Sequence, residues 1–147
     1  MKIKIKTAID GKSPEAALSA FDKNLFSALA PIFPKLEINR FDGSEPGCTV
    51  DITLNAGLFK QRWVSKITER ETTPQDAWFV DEGVKLPFFL KFWRHKHHIM
   101  LDKDQLYIID DIYFKSHTLL FSLLLYPILY LQFRARKPIY KRWFKSL

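Results

Sequence analysis

The sequence contains little of what several common kinds of site are built from. Among its 147 residues Cys48 is the single cysteine, which excludes an internal disulfide framework and a zinc site with several cysteine ligands. It has five glycines, and it contains no glycine-rich phosphate loop, no Gly-x-Ser-x-Gly elbow and no His-Glu-x-x-His motif. Phosphate-loop nucleotide hydrolases, elbow-type serine hydrolases and that class of zinc protease are therefore excluded.

An apolar signal segment is also missing from the start of the sequence. Lysine alternates with isoleucine over residues 2–6, so no continuous apolar stretch is present there. We therefore expect a cytoplasmic protein. Hydrophobic residues make up 47% of the chain and charged residues 27%, which is typical of one folded globular domain over residues 1–147.

Acidic residues are absent after Asp111, whereas seven lysines and arginines follow it. The C-terminal segment therefore carries the whole net charge of +7. The bases either stabilise the negative end of a helix dipole or contact an anionic surface. Aromatic residues lie between these bases, namely Tyr140, Trp143 and Phe144. Because this mixture is typical of a membrane interface, the anionic surface is predicted to be a membrane. We do not expect nucleic acid as a partner. The predicted membrane-facing bases are Arg134, Arg136, Lys137, Lys141, Arg142 and Lys145.

Most of the chain has the period of two that is typical of strands. Residues 2–9 alternate, and two short helices follow: one is capped by Ser13 and runs to about Asp22, and the next spans residues 24–30. Short turns between six further strands over residues 35–115 predict an antiparallel meander. These strands are expected at 36–38, 50–54, 59–67, 77–82, 88–101 and 105–115.

The last third of the chain contains an almost unbroken apolar run over residues 118–133. This run is shorter than the ~20 residues that a membrane-spanning helix needs, and Pro127 lies inside it. We therefore expect a buried helix that packs on the sheet. Pro127 and Pro138 are about three turns apart, so kinks at both would bend one long helix toward the same side. The alternative is a short helix that ends before Pro127 and a main helix that starts there.

Together these elements predict an α+β fold of the helix-grip type. A curved seven-stranded antiparallel sheet wraps around the long C-terminal helix, and two short helices follow the first strand. Aromatic residues are abundant, at 15% of the chain. A small domain with so many rings is either densely packed or built around an apolar cavity, and we predict a pocket of roughly 300–1,000 Å³ between sheet and helix.

Strand alternation brings polar side chains to the inner face of this sheet. His95 and His97 share the face of Trp93, and Asp110 lies on the apolar face of the next strand. Asp81 also lies on an apolar face of its strand. An inward carboxylate needs a partner, and the two histidines are the natural ones. Four interpretations stay open: a structural hydrogen-bond network, contact with a ligand, a metal site, and acid–base catalysis.

Several short motifs carry a resemblance to known proteins. They are Phe-Val-Asp-Glu at 79–82, Leu-Pro at 86–87, Trp-x-His-x-His at 93–97, Ile-Asp-Asp-Ile at 109–112 and Gln-Phe-Arg-Ala-Arg at 132–136. With the order of elements, they resemble the SRPBCC superfamily, which includes START lipid-transfer domains, birch-pollen-allergen-like proteins and polyketide cyclases. More narrowly, the chain resembles the bacterial ligand-binding SRPBCC domain proteins. The resemblance implies a helix-grip fold with a cavity for an apolar ligand, and no particular reaction.

We therefore predict a non-enzymatic protein that carries or senses a hydrophobic small molecule such as a lipid, an isoprenoid or an aromatic. His95, His97 and Asp110 are expected to form its polar handle, and no cofactor or metal is expected. One alternative is a cyclase- or dehydratase-type enzyme with His95 or His97 as general acid/base, oriented by Asp110. Another is a peripheral membrane protein that acts through the basic C-terminal helix. The apolar residues predicted to line the cavity are Phe59, Trp63, Phe79, Trp93, Leu124 and Ile128.

Overall fold

The computed structural model describes residues 1–146. It contains seven strands and two short helices in the predicted order, followed by two C-terminal helices where the sequence predicted one long helix. They are β1 (Lys2–Ile9), α1 (Pro14–Ser19), α2 (Lys23–Ala28), β2 (Lys35–Phe41), β3 (Thr49–Asn55), β4 (Lys60–Thr72), β5 (Asp76–Lys85), β6 (Phe92–Asp102), β7 (Gln105–Lys115), α3 (Leu119–Arg134) and α4 (Arg136–Lys145).

The strands form one antiparallel sheet in the order β1-β7-β6-β5-β4-β3-β2, which confirms the predicted meander and the helix-grip architecture. Strands β2 to β7 pair in sequence order, and β1 pairs with β7. In β1 the isoleucines are buried and the lysines exposed, as the alternation predicted. The strand predicted at 88–101 begins only at Phe92, because the backbone N–H of Leu90 donates to the carbonyl of Pro87 and closes a turn.

The two short helices begin at side-chain caps. Ser13 accepts a hydrogen bond from the backbone N–H of Ala16, as predicted. The expectation that α1 runs to Asp22 is wrong, because Asp22 instead caps α2 by accepting from the N–H of Leu25. Both helices cover the inner face of the sheet at the end where α4 also lies, and Leu18, Leu25 and Tyr140 form part of one buried cluster there.

The C-terminal segment forms two helices that meet at Ala135. Pro127 lies within α3 without ending it, so the alternative of a new helix beginning there is wrong. Pro127 has no backbone N–H to donate to the carbonyl of Leu123. This carbonyl lies in an exposed part of the helix, where water can donate to it instead. Pro138 lies in the first turn of α4, where proline removes no helical hydrogen bond.

Helix α3 is far more exposed than predicted. Only Ser122, Leu129 and Phe133 are buried, and Leu129 and Phe133 pack with strand residues such as Trp93 and Phe114 in a second apolar cluster. The prediction of a buried helix is therefore correct for one narrow face only. Among residues 1–146 no helix combines the length and apolarity that crossing a membrane requires.

Candidate functional site

A cavity of about 150 Å³ lies between the inner face of the sheet and the helices. Strands β2 to β6 form one wall, and α2 with the junction of α3 and α4 forms the other. This cavity is smaller than the 300–1,000 Å³ predicted. Its wall is mainly apolar and includes Phe26, Leu29, Ile52, Leu54, Trp63, Ile67, Phe79, Trp93, Leu129 and Phe133.

Two histidines face this cavity from β6, where alternation placed them. His95 is 3% exposed, and its Nε2 lies 2.9 Å from Asp110 Oδ1 on β7. His97 Nε2 lies 2.6 Å from Asp81 Oδ2 on β5. Each histidine therefore has a carboxylate partner on a neighbouring strand, one on either side of β6.

Asp81 joins the two histidines into one cluster. Its Oδ2 also lies 3.7 Å from His95 Nδ1, while its Oδ1 accepts a hydrogen bond of 3.1 Å from the indole N–H of Trp93. The imidazole rings of His95 and His97 lie 3.7 Å apart between centroids. The sequence showed Asp81 facing inward but did not identify it as the hydrogen-bond partner of His97.

On the far side of the cluster, Asp110 is fully buried and does not line the cavity. Its Oδ1 accepts a hydrogen bond of 3.3 Å from the Tyr140 hydroxyl and lies 4.0 Å from a guanidinium nitrogen of Arg136. Asp110 therefore holds His95 and α4 in place behind the cavity wall. The prediction that Asp110 contacts the ligand directly is therefore wrong.

The carboxylates of this cluster are ionised at neutral pH. Burial raises the pKa of the Asp110 carboxyl, but the hydrogen bond from His95 and the charges of His95 and Arg136 outweigh it, and the net pKa lies below the usual value. Burial also raises the pKa of Asp81, and the hydrogen bond from His97 likewise brings the net value below the usual range. Burial raises the pKa of the Tyr140 phenol, with a further contribution from Asp110, so this hydroxyl stays protonated.

His97 is neutral at physiological pH. Burial and the neighbouring His95 lower the pKa of His97 to about 4, despite the opposing effect of Asp81. A neutral imidazole that donates from Nε2 to the Asp81 carboxylate carries a lone pair on Nδ1. Within residues 1–146 this buried Nδ1 has no hydrogen-bond partner. The site thus contains a hydrogen-bond acceptor with unused capacity in a side chain that lines the cavity.

The structure corrects three predicted lining residues. Phe59 is 68% exposed in the turn between β3 and β4, because the strand there begins one residue later, at Lys60. Leu124 and Ile128 lie on the solvent face of α3, whose inward face is formed by Leu129 and Phe133. All three lie outside the cavity. Trp63, Phe79, Trp93, His95 and His97 do line it.

Arg136 was predicted to face a membrane, and this prediction is wrong. Its side chain is 13% exposed, lines the cavity, and stacks over the Phe133 ring at 4.1 Å. Lys137 also turns toward the body of the protein, where its Nζ donates to the carbonyl of Lys6. The other bases predicted to face a membrane, Arg134, Lys141, Arg142 and Lys145, are exposed.

Sequence reasoning missed several further wall residues. Phe21 lies between α1 and α2, Phe26 lies in α2, and Gln132 comes from α3 one turn before Arg136. The spacing of four between Gln132 and Arg136 is a signal that both face the same way. No local pattern indicates that Phe21 meets His97, with ring centroids 5.8 Å apart.

The donor atoms of Asp81, His95 and His97 lie within 4.8 Å of one another. A carboxylate and two imidazoles are ligand types that zinc accepts. However, Nε2 of each histidine already bonds to a carboxylate, so a cation would have to use the Nδ1 atoms or displace these bonds. The present arrangement fits a hydrogen-bonding cluster better than a metal centre.

Comparisons with solved structures identify proteins of the same fold. The chain is similar to the di-domain ARO/CYC protein StfQ from the steffimycin biosynthetic pathway, with 10% identity over 99% of this chain and 51% of that one and a TM-score of 0.67. It is similar to norcoclaurine synthase from Thalictrum flavum, solved with dopamine and hydroxybenzaldehyde, with 17% identity, coverage of 87% and 75% and a TM-score of 0.56.

A third similar structure is major latex-like protein 151 from Panax ginseng, with 10% identity, coverage of 93% and 97% and a TM-score of 0.57. No family model and no curated protein sequence matches the chain. At these identities the similarity establishes the fold alone.

Proposed function

We propose that this chain, which has the helix-grip fold of the SRPBCC superfamily, binds a small hydrophobic molecule that carries one hydrogen-bond donor. The observation that carries this proposal is the unpartnered Nδ1 of His97, in a side chain that lines an otherwise apolar cavity. An apolar wall supplies affinity, and one polar group sets the orientation of the ligand. The proposed setting is the cytoplasm.

The size of the cavity favours a ligand with a single ring. An apolar cavity of roughly 150 Å³ in another protein accommodates benzene, so a space of this size matches one aromatic ring. A long-chain lipid or an isoprenoid requires α2 or α3 to move away from the sheet. Aromatic side chains in the wall, such as Trp63 and Phe79, provide flat surfaces against which a ring can pack.

The polar groups of the site favour a phenol over a hydrocarbon. A small turn of the His97 ring toward the cavity lets a phenolic hydroxyl donate to its buried Nδ1, which removes the cost of leaving this atom unpaired. Norcoclaurine synthase, a protein of the same fold, was solved with dopamine and hydroxybenzaldehyde, both of which are single-ring phenols. This likeness supports a single-ring phenol as the ligand, and the physical reason is the His97 acceptor in an apolar wall.

The test is a titration with 4-ethylphenol and with ethylbenzene, followed by tryptophan fluorescence, since Trp63 and Trp93 line the cavity. We expect both molecules to bind and the phenol to bind more tightly. His97→Gln keeps a donor to Asp81 but removes Nδ1, so it should weaken phenol binding about fivefold, the effect of one hydrogen bond of roughly 1 kcal/mol. The same variant should leave ethylbenzene binding unchanged, and His98→Gln on the outer face serves as the matched control.

Failure of both molecules to bind would contradict the cavity as the binding site. Equal loss of phenol and hydrocarbon affinity in His97→Gln would contradict the role of Nδ1. Native mass spectrometry of the purified protein adds an independent measurement, since a bound small molecule appears as a defined mass increment.

A second candidate function is acid–base catalysis of the cyclase or dehydratase kind. The supporting observation is a neutral imidazole oriented by a carboxylate, with its second nitrogen free, which is the arrangement of a general base. Asp81, rather than Asp110, orients His97, and Asp110 orients His95. Hydrogen–deuterium exchange at the α-carbon of phenylacetone, followed by NMR, tests this function, and its loss in His97→Gln with binding retained would support it.

A further inference from the structure

The loops at the two ends of the sheet differ sharply in chemistry. At the end where β1 starts and β7 stops, the β3–β4 turn reads Ala-Gly-Leu-Phe over 56–59 and the β5–β6 loop reads Leu-Pro-Phe-Phe-Leu-Lys over 86–91. We call this the apolar end. The opposite turns, at 42–48, 73–75 and 102–104, contain four acidic residues and no exposed large apolar side chain within residues 1–146.

The apolar loops meet at one place. The backbone N–H of Phe88 donates to the Gln61 side chain at 3.1 Å, which ties the β5–β6 loop to the start of β4. The Ser116 hydroxyl donates to the carbonyl of Phe89 at 2.7 Å, and the N–H of Ser116 donates to the Ser122 hydroxyl of α3 at 2.9 Å. The β5–β6 loop, the start of β4 and the first turn of α3 therefore form one continuous surface.

Large apolar side chains project from this surface into solvent. Leu58 is 97% exposed, Phe88 is 70% exposed and Leu119 is 72% exposed. The patch extends along the outer face of α3, which has no charged residue before Arg134. Burying a large side chain is favourable by roughly 1.5–3 kcal/mol, so a patch of this kind marks an interaction site. Its exposed members on α3 are Leu119, Leu120, Phe121, Leu123, Leu124, Ile128 and Leu131.

Exposed lysines surround the patch, and no acidic residue lies in the loops of this end or in α3. Five of the seven strands have a lysine as their terminal residue there, and a sixth is preceded by one. Lys2 lies 3.7 Å from Asp111, and within residues 1–146 the other five make no ion pair. These six residues are Lys2, Lys35, Lys60, Lys85, Lys91 and Lys115.

From this juxtaposition we infer that the apolar end docks on a membrane that contains anionic lipid. Leucine and phenylalanine side chains insert among the acyl chains, and the surrounding lysines reach the phosphate groups with their long apolar stems lying along the interface. The surface is charge-complementary to anionic headgroups, since its loops contain no acidic residue and, within residues 1–146, five of its six lysines make no ion pair.

A second copy of this chain fits the same surface poorly. A twofold contact brings the same patch of both subunits together, so the lysines of one copy would face those of the other. Like charges at a contact of this kind oppose association. A lipid surface has no such conflict, because it supplies the opposite charge.

The basic residues of α4 do not belong to this surface. Tyr140 and Phe144 of α4 pack with Leu18 and Leu25 of the short helices, at the other end of the sheet. A membrane contact through α4, as the sequence suggested, would therefore present the opposite end of the molecule. Contact through the apolar end and contact through α4 therefore predict that different variants lose vesicle binding.

Flotation with vesicles of phosphatidylcholine and roughly one-third phosphatidylglycerol tests the inference. We expect the wild-type protein to float with these vesicles, to bind less as salt is added, and to bind vesicles of phosphatidylcholine alone weakly. Each lysine near an anionic surface strengthens binding about fivefold, so Lys60→Gln/Lys85→Gln/Lys91→Gln should weaken it roughly 100-fold. The matched control, Lys141→Gln/Arg142→Gln/Lys145→Gln, should change it less than about threefold.

An environment-sensitive nitrobenzoxadiazole label locates the contact directly. On a Cys48→Ser background, label at Leu58→Cys should brighten when vesicles are added, and label at Gln75→Cys in an opposite turn should not. Both positions are exposed, and thermal unfolding by circular dichroism checks that each variant is folded. The cavity-filling change Ile52→Phe should leave vesicle binding intact, which separates this inference from the proposed ligand site.

Three results would overturn the inference. One is absence of flotation with the anionic vesicles at low salt. Another is equal loss of vesicle binding in the two triple variants. Brightening of the label at Gln75→Cys alone would likewise assign the contact to the α4 end. The last is a concentration-dependent dimer in sedimentation velocity that Leu120→Ser/Leu124→Ser abolishes, which would assign the surface to a second copy.

Discussion

His95 and Asp110 are joined by a 2.9 Å hydrogen bond although they are not opposite each other in the sheet. In the β6–β7 ladder Asp110 faces His97, and His95 faces Ile112. The bond is therefore diagonal, which leaves His97 to bond with Asp81 on β5. Because of this diagonal arrangement, His95 bonds to Asp110 behind the cavity wall, whereas His97 bonds to Asp81 beside the cavity.

Removal of the Asp110 carboxylate should destabilise the protein strongly. Asp110→Ala leaves His95, Arg136 and the Tyr140 hydroxyl without their shared partner in a buried site. We expect a loss of about 3 kcal/mol in the free energy of unfolding, measured by urea denaturation. Tyr140→Phe removes one hydrogen bond and should cost about 1 kcal/mol. A loss below that of Tyr140→Phe would show that Asp110 does not hold the cluster.

Stability should fall as the pH is lowered from 6.5 toward 4. Burial and His95 depress the pKa of His97 from 6.5 to about 4 in the folded state, so in this range the unfolded chain binds a proton that the folded protein does not. The contribution of His97 to the free energy of unfolding is complete above pH 6.5, and about 2–3 kcal/mol of this free energy is lost by pH 4.5. Urea midpoints measured across this range should shift less in His97→Gln than in His98→Gln.

Filling the cavity should abolish ligand binding without harming the fold. Ile52 lines the cavity and is buried, and Ile52→Phe adds volume to the empty space. We expect at least tenfold weaker binding of a single-ring phenol and a change in unfolding free energy within about 1 kcal/mol. Val64→Phe, on the other face of the sheet beside Trp63, is the control and should bind normally. Normal binding to Ile52→Phe would place the ligand elsewhere.

The two faces of α3 should respond differently to the same substitution. Leu124 is exposed, so Leu124→Gln should change the free energy of unfolding by less than about 0.5 kcal/mol. Leu129 is buried against the sheet, and Leu129→Gln places an amide there, which should cost about 2–4 kcal/mol. Thermal and urea unfolding measure both effects. Equal losses would mean that the outer face of α3 is covered in solution.

Several functional features can be predicted from the sequence because they depend on local pattern. The period of two along β6 determines that Trp93, His95 and His97 share a face, whatever the rest of the chain does. The apolar neighbours of Asp110 likewise place it inside. Short turns between consecutive strands lead directly to the meander.

Other features depend on contacts between distant parts of the chain, which only the tertiary structure decides. The apolar run of α3 has hydrophobic residues on all sides, so its sequence does not indicate which face, if any, is buried. The inward position of Arg136 follows from the break at Ala135 and from the charge of Asp110. The diagonal pairing of His95 with Asp110, and the meeting of separate loops at the apolar end, follow from strand register and order, which residues far apart in sequence set together.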